Sequence, residues 1–155
     1  MKQQNNTQSI LFTRKQFKAL LKAVYLGNWM ANAHRAEDKK VDYESIEDYI
    51  FSLAPQFGFD KYMDHERSDG DKYYPTSFFE ETTDVDKLHD EYDDETFWDE
   101  LAERLGERDF YEDYSEDEIK KMTEEEWFTK LQEHIHKYHK EFEKSGLERV
   151  RVEKN

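Results

Sequence analysis

The sequence predicts an all-α protein, a compact bundle of about five to seven helices around a central N-terminal helix at about 13–35. Three observations carry that prediction. Thr13 to Arg35 is the only long run of apolar and small residues in a very polar chain. Helix-start signals recur: Thr13, Ser115 and Thr123 are each followed three residues later by Gln16, Glu118 and Glu126, the spacing of a capping box. Apolar residues elsewhere recur at intervals of three and four, and only Leu147–Val152 alternates as a strand does.

The first helix opens with Thr13 as cap, Gln16 reaching back to it, and Phe12 stapled on Phe17. At about 100° per residue, Phe17, Leu20, Leu21, Val24, Leu26, Met30 and the small residues between them fill a broad arc, with Asn28 among them. Lys15, Lys18, Lys22, Tyr25, Trp29 and Asn32 fill the narrow remainder. An arc that wide is expected of a helix packed on by several others. A second helix is expected from Asp42 as cap to Ala54, with Ile46, Tyr49, Ile50 and Leu53 as its buried stripe and Pro55 as its stop.

Residues 55–83 have no clear period and contain both prolines. They read as an ordered excursion pinned by aromatic residues, with a short helix around 76–82. Two helices should follow, 84–91 and 94–105, broken near Asp93 because their apolar sides do not line up, with Gly106 ending the second as a C′ glycine. Ser115 starts another. Thr123 starts the last, about 123–144, which should bury Trp127, Phe128, Leu131, Ile135, Tyr138 and Phe142. The domain reading is a disordered tail 1–9, one helical domain 10–146, and a C-terminal tail 147–155 that holds the short strand pattern.

Composition bounds the function. At 155 residues the chain can bury one domain's core, and 15% aromatic residues oppose the disorder that 39% charged residues would favour. Absence of cysteine excludes disulfides and thiolate chemistry and suits a reducing, cytoplasmic setting. No leader or membrane-span pattern is present, and a net charge of −15 opposes direct binding to nucleic acid or an anionic membrane. Residues 1–36 hold six basic residues and no acidic one, while 80–126 hold 22 acidic residues against five basic.

Chemistry-bearing motifs are few. Glu133 and His136 form a Glu-x-x-His pair, but both fall opposite the apolar face of the last helix, so no metal site is expected. His134 and His139 flank that face as boundary residues. Residues 64–71 resemble a calcium loop in composition only, since the positions that need carboxylates are His65 and Arg67, so a polar turn is expected. No phosphate loop, dinucleotide fingerprint, nucleophile elbow or zinc motif occurs, and no cofactor is implied.

The expectation is a non-catalytic module that associates with another protein, its interface drawn from Lys18, Lys22, Tyr25 and Trp29. An aromatic stripe of this kind also suits a homodimer. The acid block 80–126 could instead cover that face within the molecule, or imitate the phosphates of DNA towards a DNA-binding protein. A third reading is an enzyme or ligand-binding protein with a pocket near Asn28, Asn32 and His34, because a buried Asn28 amide needs a partner.

Overall fold

A computed structural model describes residues 8–151. Among these the chain forms α1 (Arg14–Asn32), α2 (Val41–Ser52), β1 (Met63–Glu66), β2 (Lys72–Pro75), α3 (Ser77–Thr82), α4 (Val85–Asp113), α5 (Glu116–Ile119) and α6 (Glu124–Ser145). Short 3₁₀ turns occupy Ala54–Phe57, Asp60–Tyr62 and Arg67–Asp69. The protein is thus an all-α helical fold with one small antiparallel hairpin. The chain divides into two compact units, residues 1–89 and 90–155. The expected N-terminal tail lies largely outside the described residues.

Unit 1 grows from α1. Thr13 and Gln16 cap it reciprocally, and Phe12 meets Phe17 edge-on at 6.4 Å, so the start forms as its sequence predicts. Phe17 and Leu21 are buried among Ile50, Phe51, Ala54, Phe59, Tyr62, Met63, Phe79 and Val85. Phe17 stacks on Phe57 at 3.8 Å, and Arg14 holds the turn below by donating Nε to the Phe57 carbonyl at 3.0 Å and Nη2 to the Gly58 carbonyl at 3.2 Å. Gly58 ends that turn at φ +72°, where a side chain would be strained.

The broad arc of α1 is not buried throughout. Ala19, Ala23 and Met30 are exposed, because partners approach α1 from one side only. In α2 the expected stripe is displaced. Ile50 and Phe51 are buried while Ile46 and Tyr49 are 47% and 59% exposed, because Phe51 turns inward against Phe79 and carries Glu47, one turn earlier, with it. The start of α2 also differs from the expected Asp42 cap: no side chain caps the helix. Asn32 on α1 instead anchors the residue before it, its Oδ1 accepting from Lys40 N at 2.7 Å and its Nδ2 donating to Lys40 O at 3.3 Å.

Residues 55–83 are ordered and hold the expected short helix, α3, capped by Thr76. They also hold a hairpin that the sequence pattern conceals, pairing Met63 with Pro75 through Glu66 with Lys72. Gly70 at φ +72° and Asp71 at φ 61° turn it, so the calcium-like segment is a polar hairpin turn.

In unit 2, Ala102, Phe110, Leu131, Ile135 and Phe142 form a second core. No break occurs near Asp93. The helix α4 runs on because no Gly or Pro interrupts it there, and its apolar sides need not line up because Val85 serves the first core and Ala102 and Phe110 the second. Gly106 does not end a helix either. It is buried inside α4, where an added Cβ would lie 2.7 Å from the Ile135 backbone, so its smallness lets α6 cross closely. Helix α6 has its complete Thr123–Glu126 capping box, but Phe128 is 58% exposed and does not join the core. Residues 147–149 form turns, and no C-terminal strand occurs among the described residues; Val152 lies beyond them.

Candidate functional site: a carboxylate groove in unit 1

The face expected to meet a partner is occupied within unit 1. Lys22 pairs with Asp84 at 2.6 Å, and Lys18 lies over the Tyr62 ring at 5.4 Å. Tyr25 packs edge-on against Phe79 and donates to Glu80 at 3.1 Å, and burial pushes its hydroxyl up to about 12. Trp29 sits 3.9 Å from the His89 ring. All four side chains are half-buried. The first residues of the acid block therefore cover this basic and aromatic face.

The suggested Asn28/Asn32/His34 pocket divides differently. Asn28 and Asn32 meet, with Asn32 Nδ2 donating to Asn28 Oδ1 at 2.7 Å, but His34 is exposed and takes no part. The partner that a buried Asn28 requires is Glu47, whose Oε2 accepts from Asn28 Nδ2 at 2.6 Å. A polar chain thus runs from Glu47 on α2 through Asn28 and Asn32 on α1 to the Lys40 backbone.

That chain opens into a groove of about 480 Å³ between α2 and β2. Asn28 and Glu47 form part of its lining, with Val41, Tyr73, Tyr74 and Pro75 supplying apolar and aromatic wall. Asp48, also in the lining, accepts from Tyr73 N at 2.8 Å and ties the strand to the helix. The Lys39–Glu44 pair at 3.0 Å borders the groove. Burial pushes the Glu47 carboxyl up to about 7, against the opposing hydrogen bond from Asn28, and the nearby Glu44 and Asp48 charges push the same way. Among the described residues Glu47 has no cationic partner; its only polar contact is an amide.

Glu47 and the hairpin escape a reading of the sequence alone. Glu47 sits among acidic neighbours on a helix that looks like an ordinary solvated surface. Its one signal is Phe51 four residues on, because a helix that buries Phe51 must turn position 47 the same way.

In unit 2 the polar contacts brace helices. His134 donates Nδ1–H to the Lys130 carbonyl at 2.7 Å and faces Asp113 at 3.1 Å, and both contacts hold its ring above the usual histidine range. Tyr138 donates to Asp109 at 2.6 Å, and that bond holds the Asp109 carboxyl below its usual range. His139 stands 3.9 Å from Asp99, while Glu133 and His136 are exposed. No metal-binding group of three or more His, Cys, Asp or Glu occurs among the described residues. No described helix is long and apolar enough to cross a membrane.

No protein-family model, curated protein or solved structure matches the chain.

Proposed function

We propose that the protein is a non-catalytic module that binds another protein, and that it does so in the cytoplasm, where a chain without cysteine is at home. The observation that carries this reading is the outer face of α2. Tyr43, Ile46 and Tyr49 stand 48%, 47% and 59% exposed on one side of a short helix, in a chain where 39% of residues are charged. Apolar side chains grouped on one exposed face mark interaction sites, as scattered single ones do not. The contact surface is accordingly moved from Lys18, Lys22, Tyr25 and Trp29, which have partners inside unit 1, to this neighbouring helix.

The test is affinity capture from cell lysate with the wild type, Tyr49→Asp and Trp29→Ala side by side, at low and high salt. The expected result is a specific partner lost with Tyr49→Asp while far-ultraviolet circular dichroism stays unchanged. Partners retained by Tyr49→Asp would refute the α2 face. If those retained partners were DNA-binding proteins released by salt, the acidic surface would be acting as a phosphate mimic.

A further inference from the structure

We propose that the groove between α2 and β2 is a binding site for a small organic cation, whose ammonium or guanidinium group pairs with the Glu47 carboxylate while its aliphatic stem lies against Tyr73 and Pro75. This goes beyond association with a protein through the α2 outer face.

Four features of the groove support it. Its volume, about 480 Å³, falls in the range of small-molecule sites. Its anionic group is fixed, because Asn28 Nδ2 holds one Glu47 oxygen at 2.6 Å and Asn32 holds Asn28 in turn at 2.7 Å. Glu47 is half-buried and no described cation compensates it, although cations stand close by. Lys39 is engaged by Glu44 at 3.0 Å and Lys72 lies 3.9 Å from Asp69, so the protein's own lysines are drawn to other carboxylates. Finally, β2 contributes Tyr73, Tyr74 and Pro75 beside Lys72, and the rings and the proline suit a short alkyl stem and a delocalised cation.

An anion would meet Glu44, Glu47 and Asp48 together, whereas a cation pairs with the ionised form of Glu47.

The groups around Glu47 determine the pH response. Glu44 and Asp48 flank it on α2, Lys39 and Lys72 line the groove from the loop before α2 and from β2, and α1 contributes the neutral Asn28 and Tyr25. Burial favours the protonated form of Glu47 in the free protein. A bound cation favours the ionised form, so binding releases protons at pH 7 and tightens as pH rises from about 6 to 8.

The experiment is a carbon-13 NMR titration of the Glu47 side-chain carboxyl in the full chain, alone and with saturating agmatine or cadaverine. The neutral 1,5-pentanediol serves as the stem-only control. The expected result is a midpoint lowered by about one unit or more with either cation, equivalent to about tenfold tighter binding to the ionised form. The diol should leave it in place. In parallel, Glu47→Gln, which keeps an acceptor for Asn28, should weaken cation binding about tenfold. Glu103→Gln, an equal charge change at an exposed site in unit 2, should leave binding within about twofold. An unmoved Glu47 midpoint overturns the proposal. So does equal weakening by the two variants, which would mean diffuse attraction to a chain of charge −15. If Glu47→Gln fails to fold, the wild-type midpoint alone decides.

Discussion

A single hydrogen bond, Asn28 to Glu47, turns a surface-looking acidic residue into the anchor of a groove. Its energetic signature is testable without a ligand. The Glu47 carboxyl is raised to about 7 in the folded chain against about 4.5 when unfolded. The folded state therefore holds the extra proton between those values, and the stability this group contributes is fully present below about pH 4.5 and lost as pH rises through 7. Glu47→Gln should remove that loss, leaving the variant more stable than wild type at pH 8 by on the order of 1–2 kcal/mol and closer to it at pH 5. Urea unfolding at the two pH values checks this, and a variant less stable at both would mean that Gln does not replace the carboxyl in its contact with Asn28. His134 works in the same direction. Its ring is raised by the Lys130 carbonyl and Asp113, so its contribution is full below about 6.5 and fades as pH rises through its folded value. His134→Gln should accordingly destabilise at pH 6 and have a smaller effect at pH 9, read from thermal midpoints.

At the scale of elements, α4 and α6 are held by a close crossing as much as by their apolar stripes. Replacing Gly106 with Ala normally favours a helix by about 1 kcal/mol. Here the new methyl would lie 2.7 Å from the Ile135 Cα, and backbone cannot swing aside as a flexible side chain does. Gly106→Ala should therefore destabilise by about 1–3 kcal/mol net, measured by urea unfolding; a gain in stability would show that α6 gives way freely. The start of α6 is simpler. Thr123 Oγ1 accepts from Glu126 N at 3.2 Å and Glu126 returns the bond to Thr123 N at 2.9 Å, so Thr123→Ala should cost about 1 kcal/mol. The capping boxes are visible in the sequence because they depend on residues three apart. The crossing at Gly106 is not, because it depends on a residue in α6, and a glycine after Leu105 looks the same whether it ends a helix or admits a neighbour. The hairpin is hidden for a related reason: four-residue strands are too short to show alternation.

For the whole molecule the dominant quantity is charge. A net −15 over 155 residues strains the folded state through self-repulsion, while its ion pairs are mostly short-range and exposed. Raising sodium chloride from about 10 mM to about 500 mM shortens the Debye length from ~30 Å to below ~5 Å. The thermal midpoint should rise by several degrees; a fall would mean that the ion pairs outweigh the repulsion.

What the sequence determined by itself is local: helix as the element type, the capped starts at Thr13, Ser115 and Thr123, the short helix after Thr76, and the absence of thiol chemistry. These depend on neighbours within one turn, so a linear pattern holds them. Only tertiary structure decided the rest. It covered the Lys22–Tyr25–Trp29 face with the start of the acid block, ran α4 unbroken past Asp93, buried Gly106, and brought Glu47 beneath Asn28. Those outcomes depend on which of several apolar residues on a helix is taken into a core. On α2 the edge-on packing of Phe51 against Phe79 made that choice, leaving Ile46 and Tyr49 in water and turning a carboxylate inward.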